Sequence, residues 1–136
     1  MSRDFWKDID WFKPSEFDSP DKPGSGYANM DEQFIRRLNQ LRSLLRRPLK
    51  VTSGYRTPDH NEKVSPATGR TGPHTTGKAV DLQVCAEDAF HVLELALALG
   101  FTGVGLNQKG PLMSRFIHLD LIAGNPDIPR PRVWTY

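Results

Sequence analysis

The chain has 136 residues, which suits a single domain with one core, and its 38% hydrophobic and 25% charged content excludes gross disorder. The net charge of +2 is too weak to indicate nucleic acid as the main partner. The lone cysteine, Cys85, excludes an internal disulfide. No apolar stretch is long enough to span a bilayer, and the first residues lack the apolar run of a signal peptide. We therefore expect the protein to stay in the cytoplasm until it is released.

Residues 1–29 predict an irregular arm that packs onto the core through its aromatic side chains. Within the arm, residues 13–17 indicate a helical turn and residues 21–26 a loop. The aromatic side chains are those of Phe5, Trp6, Trp11, Phe12 and Phe17.

The first long helix follows the arm. Asn29 is its predicted N-cap, because Glu32 three positions later gives a pattern like a capping box. Pro48 is predicted to stop the helix. An apolar stripe at helical spacing predicts the face that packs on the core. The stripe consists of Phe34, Ile35, Leu38, Leu41 and Leu45.

Short elements follow the helix. Their predicted ranges are 49–53 (strand), 59–63 (helix), 65–72 (loop) and 78–84 (strand). In the second of these strands, Val80 and Leu82 share the face that packs on the core, and Asp81 lies on the opposite face.

The remaining pattern predicts a helix at 86–99, strands at 101–106 and 115–122, and a tail. In the last strand Ile117 and Leu119 alternate with His118 and Asp120, so the two polar side chains share the face away from the core. This order predicts an α+β fold, a small, mainly antiparallel sheet with flanking helices. We expect one domain over 1–136, divided into the arm (1–29), a core (30–122) and a Pro-rich tail (123–136).

His74, Asp81 and His118 are candidate metal ligands. Two imidazoles and one carboxylate leave a tetrahedral zinc ion one open position, as in catalytic sites, whereas a structural site is usually closed by four ligands. Gly77 permits a tight backbone between the first two residues. Taken singly, His74 also reads as a loop histidine and Asp81 as a solvated strand carboxylate.

Three motifs carry a family resemblance. They are His74-Thr-Thr-Gly77-Lys-Ala79-Val-Asp81, the upstream Ser53-Gly-Tyr-Arg-Thr57 and the downstream Ile117-His-Leu-Asp120. The first resembles the His-x-x-Gly-x-Ala-x-Asp motif of zinc D-Ala-D-Ala carboxypeptidases and related peptidoglycan peptidases, which include L,D-endopeptidases and phage endolysins. The other two stand in the order that this family uses. The resemblance covers the chain from about Met30 to Leu121 and implies a hedgehog-like fold, with zinc in the cleft of an antiparallel sheet.

The resemblance also implies roles for individual residues. His74, Asp81 and His118 would bind one Zn²⁺ ion. Arg56 matches an arginine that binds the substrate carboxylate or polarises its carbonyl, a role that suits a planar, always charged guanidinium. The alternative for Arg56 is a structural role in bracing its loop.

Two positions depart from the family pattern. Gly72 stands where relatives often have serine, so a hydrogen bond near the first ligand is either missing or supplied by Thr75 or Thr76. Arg115 stands where many relatives carry a catalytic glutamate or aspartate, so the general base must lie elsewhere.

Asp120 is the predicted general base, because it follows His118 by two residues and shares its strand face. The alternative is that Asp120 orients His118 or binds substrate. His60 and Glu62, just after the candidate arginine, are lesser candidates for the wall of the substrate cleft.

These inferences predict a zinc-dependent peptidase of phage or prophage type, released from the cytoplasm or carried in a virion. It would hydrolyse peptidoglycan stem peptides, either at the D-Ala-D-Ala end or at an internal bond. The alternative is a zinc-containing module of the same fold without activity, which binds the cell wall or belongs to a phage virion, and Arg115 favours it. Nucleic acid is not expected as a partner, because no aromatic platform accompanies the arginines of the first long helix.

Overall fold

The computed structural model describes residues 3–136, and it confirms the predicted α+β fold. Within these residues the α-helices are α1 (Ser25–Asn29), α2 (Glu32–Leu45), α3 (Pro58–Val64) and α4 (Ala86–Ala98). The strands are β1 (Lys50–Ser53), β2 (Ala79–Gln83), β3 (Gly103–Asn107), β4 (Phe116–Asp120) and β5 (Arg132–Thr135). Among the described residues, no helix has both the length and the apolar character needed to cross a bilayer.

The five strands form one sheet in the order β1-β2-β4-β3-β5. The first four strands pair antiparallel, and β5 pairs parallel with β3 at the edge. One row of partners crosses four strands, from Asp81 through His118 and Gly105 to Trp134. This register places two candidate ligands side by side at the centre of the sheet.

The start of α2 differs from the prediction. The N-cap is Asp31, whose carboxylate accepts a hydrogen bond from the Phe34 amide at 2.9 Å. Asn29 instead ends α1, a short helix where the sequence predicted a loop up to residue 26 and an irregular arm up to residue 29. The helix also ends before Pro48, because Arg46 adopts a left-handed conformation with φ of 61°. All five residues of the predicted stripe are buried.

The core lies between α2, α4 and one face of the sheet. That face carries Val80, Leu82, Ile117 and Leu119, all fully buried, as the strand alternation predicted. A fully buried side chain of this kind contributes about 1.5–3 kcal/mol. The arm packs against the same core through four of its five predicted aromatic side chains, those of Phe5, Trp6, Phe12 and Phe17.

Trp11 is the aromatic residue of the arm that stays outside the core. It is 47% exposed, and the Arg42 guanidinium lies 4.1 Å from the centre of its ring. Its indole N–H donates to the Ser43 hydroxyl at 2.7 Å. Trp11 therefore attaches the arm to the outer surface of α2 through polar contacts.

The tail, residues 123–136, is part of the sheet and not a separate extension. Its strand β5 hydrogen-bonds to β3, with the Arg132 amide donating to the Thr102 carbonyl at 2.8 Å. Only four residues form this strand, and a proline precedes it, so the sequence pattern gave little sign of it. The boundary predicted at residue 122 therefore separates β5 from the sheet to which it belongs.

Candidate metal centre

His74 lies in a 3-10 turn, Pro73–Thr76, and is only 5% exposed. Its Nδ1 atom is 2.8 Å from the Gly54 carbonyl oxygen, so Nδ1–H donates there and Nε2 keeps its lone pair. The turn ends at Gly77 with φ of 75°, where a Cβ atom would lie 2.0 Å from the Asn29 carbonyl oxygen. Glycine is therefore required at this position for both its conformation and its close approach to the arm.

Asp81 and His118 are directly paired across β2 and β4. Asp81 Oδ1 lies 3.1 Å from His118 Nδ1 and 3.3 Å from His74 Nε2. One ligand atom from each of the three residues lies within 4.8 Å of the other two. The residues predicted from the sequence as ligands thus converge on one point, although 44 positions separate the first from the last.

The hydrogen bonds around this cluster prepare it for a cation. His118 Nε2–H donates to Asp120 at 2.8 Å, and His74 Nδ1–H donates to a carbonyl, so in the neutral rings both inner nitrogens keep a lone pair that a cation can take. Burial raises the pKa of Asp81, but the His118 and His74 rings, which donate to the carboxylate when they are protonated, outweigh it and lower the pKa. A carboxylate held ionised beside two imidazole lone pairs is a donor set that zinc binds in proteins. The residues therefore fit a metal ion.

Asp120 is fully buried, and both of its carboxylate oxygens accept hydrogen bonds. Arg130 binds its carboxylate through two hydrogen bonds, Nε to Oδ1 at 3.0 Å and Nη2 to Oδ2 at 2.8 Å. Burial raises the pKa of Asp120, but the bonds from His118 and Arg130 dominate and lower it to about 2. Burial likewise lowers the pKa of His118, yet Asp120 and Asp81 raise it overall. This geometry favours the alternative role for Asp120, which is to orient the His118 ring, over the predicted role of general base.

Arg56 lies where the resemblance implied, beside the cluster. Its guanidinium donates to the Ser53 hydroxyl and to the Asn61 side-chain oxygen, each at 3.1 Å, and lies 3.7 Å from Asp81. Burial lowers its pKa, while Asp81 opposes the shift, and the group stays charged because an arginine starts from such a high value. The side chain is 17% exposed, so the positive charge is held in place and still faces the cleft.

The three candidate ligands and Arg56 line a cavity of about 590 Å³. One wall comes from α3 and the loop after it, and the other comes from the tail. His60 and Glu62 are not among the residues that line the cavity, so the structure does not support the prediction that they form part of the cleft wall. Asn61, between them, does line it, because successive residues of a helix point about 100° apart. Glu62 instead lies 3.5 Å from Arg70 at the surface.

The departure at Gly72 has a steric reason. A Cβ atom here would lie 2.5 Å from the Thr68 hydroxyl oxygen and 2.8 Å from the Asn61 amide nitrogen, so serine would require both of these side chains to shift. Of the two alternatives for the missing serine, the structure favours a lost hydrogen bond over one supplied by Thr75 or Thr76. Their hydroxyl groups donate to the Gly72 and Pro73 carbonyls and brace the turn, not the His74 ring.

The tail contributes cavity residues that the sequence analysis missed. Trp134 packs against His118, with ring centres 5.2 Å apart, and reaches it across Gly105, where a Cβ atom would lie 2.6 Å from the indole nitrogen. The other lining residues of the tail are Asp127, Ile128, Arg130, Arg132 and Tyr136. In the sequence Arg130-Pro-Arg-Val-Trp-Thr-Tyr136, large arginine and aromatic side chains occupy every second position. This alternation could have predicted a strand with one functional face.

An α+β domain with a His–Asp–His cluster at the wall of an open cavity is an arrangement that suits a metal-dependent hydrolase. Residues 12–120 match the family model of peptidase M15, and the chain belongs to that family. The resemblance found in the sequence is thereby confirmed at the level of the family.

The chain is similar to a curated relative, the peptidoglycan L,D-endopeptidase MepK of Escherichia coli (strain K12). The two are 29% identical over 97 residues, which cover 68% of this chain and 51% of the relative. The MepK of Shigella flexneri gives the same values. The chain thus spans about half the length of the curated relatives it matches. No solved structure matched the chain.

Proposed function

We propose that the chain is a zinc-dependent peptidase that hydrolyses peptide bonds in the stem peptides of peptidoglycan. The observation that carries this proposal is the cluster of His74, Asp81 and His118 beside an open cavity, because three protein ligands leave a position for water or substrate. Membership of a peptidase family supports the reaction, and similarity to a peptidoglycan endopeptidase supports the substrate class. The name of that relative favours an internal L,D bond over the D-Ala-D-Ala end.

The side chains of the protein would position the substrate and supply positive charge beside it. When bound, zinc lowers the pKa of a coordinated water to about 7 and polarises the carbonyl of the scissile bond. Arg56, fixed by Ser53 and Asn61, presents its guanidinium to the cavity, where it can stabilise a developing oxyanion or hold a substrate carboxylate. A group already held in place needs no reorganisation as charge develops on the substrate.

Two carboxylates are candidates for the group that transfers the proton. Asp120 is the prediction from the sequence, but a pKa of about 2 makes it a weak base at neutral pH. Asp127 lines the cavity, and within residues 3–136 no hydrogen bond or ion pair of its carboxylate is found. We assign proton transfer to Asp127 for this reason.

Asp127→Asn tests the assignment. We expect kcat on peptidoglycan peptides to fall about 100- to 10,000-fold, the usual contribution of a general base, with zinc content unchanged. The measurement is steady-state hydrolysis together with zinc analysis of the same preparation. Activity at the wild-type level would remove Asp127 from the mechanism.

His74→Ala and His118→Ala test the function itself. Each variant should lose both bound zinc and hydrolysis, as measured by mass spectrometry of digests of purified sacculi. His91→Ala is the matched control, because His91 lies exposed on α4 and does not line the cavity. Full hydrolysis by a metal-free His74→Ala or His118→Ala preparation contradicts the zinc mechanism.

The second candidate is a wall-binding or virion module without activity. It is favoured by Arg115, which replaces an expected acid and whose guanidinium donates to the Gly110 carbonyl away from the cavity. Wild-type protein that binds zinc and sacculi but releases no peptide fragments would support the module over the enzyme. A phage or prophage origin, for either candidate, stays a prediction from the sequence.

A further inference from the structure

The tail presents one face of side chains to the cavity. From Arg130 onward every second residue lines it, and the residues between do not, as expected for an extended strand. These lining residues are Arg130, Arg132, Trp134 and Tyr136. They lie beyond residue 120, where the family match ends, so the family assignment says nothing about their role.

Trp134 fixes the position of this face. It lies between His118, 5.2 Å away by ring centres, and two guanidinium groups, those of Arg130 at 5.0 Å and Arg132 at 5.6 Å from its ring centre. The backbone of Gly105 leaves the space into which the indole fits. Arg132 is therefore held near the candidate metal ligands by a cation–π contact.

Arg132 differs from the other arginines of the cavity in its partners. Arg56 lies beside Asp81, and Arg130 binds Asp120 with two hydrogen bonds. Within residues 3–136, the Arg132 guanidinium has no hydrogen bond and no carboxylate within ion-pair distance, including Asp127 on the same cavity wall. Its donors remain free to bind a ligand.

We propose that Arg132 binds a carboxylate of the substrate peptide and thereby selects acidic stem peptides over their amidated forms. This inference rests on the proposed function of the same cleft. A planar guanidinium binds a carboxylate through two parallel hydrogen bonds, which a neutral carboxamide cannot match in charge or in geometry. The cation on the tail thus adds a second anchoring point to that of Arg56.

The test compares Arg132→Gln with wild type on a set of synthetic stem peptides. The set contains the parent peptide and analogues in which each carboxylate in turn is a primary carboxamide. For zinc-loaded wild type, we expect one amidation to raise KM about tenfold or more, the usual effect of losing a charged hydrogen bond. For Arg132→Gln, KM for the parent should rise by the same factor, and the same amidation should have no further effect, with kcat little changed.

Two variants make the test specific. Arg132→Lys keeps the charge but not the planar arrangement of donors. Its KM for the parent peptide should therefore lie between those of wild type and Arg132→Gln. Arg47→Gln is the matched control, because Arg47 pairs with Asp88 away from the cavity and should leave the preference intact.

The outcomes separate this inference from the proposed function. If wild type and Arg132→Gln cleave every peptide with the same preference, the role of Arg132 is overturned and the peptidase stands. An equal loss on parent and amide alike also overturns it, because that result indicates a structural role at the sheet edge. If zinc-loaded wild type cleaves none of the peptides, the proposed function fails and this inference fails with it.

Discussion

The Asp120 carboxylate is held by its neighbours and supports the His118 ring. It is fully buried, bound by Arg130 on one side and by His118 on the other. A carboxylate that holds the outer nitrogen of a metal-binding histidine fixes the ring and makes it a better ligand. The hydrogen bonds that connect Arg130, Asp120 and His118 would therefore orient the His118 ring for metal binding.

Asp120→Asn should weaken zinc binding about 10- to 100-fold, because the His118 ring loses its charged partner. It should also lower the free energy of unfolding by about 3–5 kcal/mol, since Arg130 is left buried without a counter-charge. Zinc titration against a competing chelator and urea unfolding measure the two effects. Unchanged zinc affinity with lost hydrolysis would instead restore Asp120 as the general base.

At the scale of elements, β3 acts as a spacer between two functional strands. Its residues Gly103 and Gly105 carry no side chain toward the cavity, and Asp120 and Trp134 occupy the space that they leave. This explains why a strand of low β-propensity lies near the centre of the sheet. The glycines bring β4 and β5 side chains into contact across an intervening strand.

Gly105→Ala should disturb this contact, because the new methyl group would lie 2.6 Å from the Trp134 indole nitrogen. We expect a loss of about 1–3 kcal/mol in unfolding free energy, as for other overpacked sites, together with reduced hydrolysis. The control is a double-mutant cycle with Trp134→Ala, in which the cost of Gly105→Ala should largely disappear. Additive losses would show that Trp134 does not fill the space above Gly105.

At the scale of the whole molecule, metal binding should be coupled to folding. The candidate ligands come from the 3-10 turn, β2 and β4, so an ion would connect segments far apart in the chain. A ligand that binds only the folded state at 100 times its Kd stabilises it by about 2.7 kcal/mol. For a chain of this size, the expected rise in Tm is roughly 10 °C.

Calorimetry with zinc and with a chelator measures this rise, and His118→Ala should show none of it. A zinc-independent Tm for wild type would mean that the cluster does not bind zinc in the folded state at the concentrations used.

The sequence was most informative where a pattern repeats within one element. The stripe on α2 and the alternation in β2 and β4 depend on local periodicity, and this is why the fold class and the strand faces of Asp81 and His118 could be predicted. The inclusion of His74 in one ligand set depended on the family resemblance, because His74 lies in a turn without periodicity. The N-cap of α2 was misplaced by two residues, since Asn29 and Asp31 are both acceptable caps and only the path of the arm selects between them.

The cleft was harder to predict because it depends on how distant segments meet. The rotation of α3 decides that Asn61, and neither His60 nor Glu62, faces the cavity. The role of Asp120 depends on Arg130, which reaches it only because β5 joins the sheet. Strand alternation predicts on which face of the sheet a side chain lies, but not which other side chain it contacts.

Because β5 pairs with β3, two separate stretches of the chain form the cleft. The metal-ligand candidates lie within the stretch that matches the family, and the wall with Arg132 and Trp134 lies after it. If Arg132 selects the peptide as proposed, substitutions at this position would alter which peptides are accepted without replacing a candidate metal ligand. On the same proposal, a tail exchanged between relatives would be expected to change substrate choice while the His–Asp–His cluster stays in place.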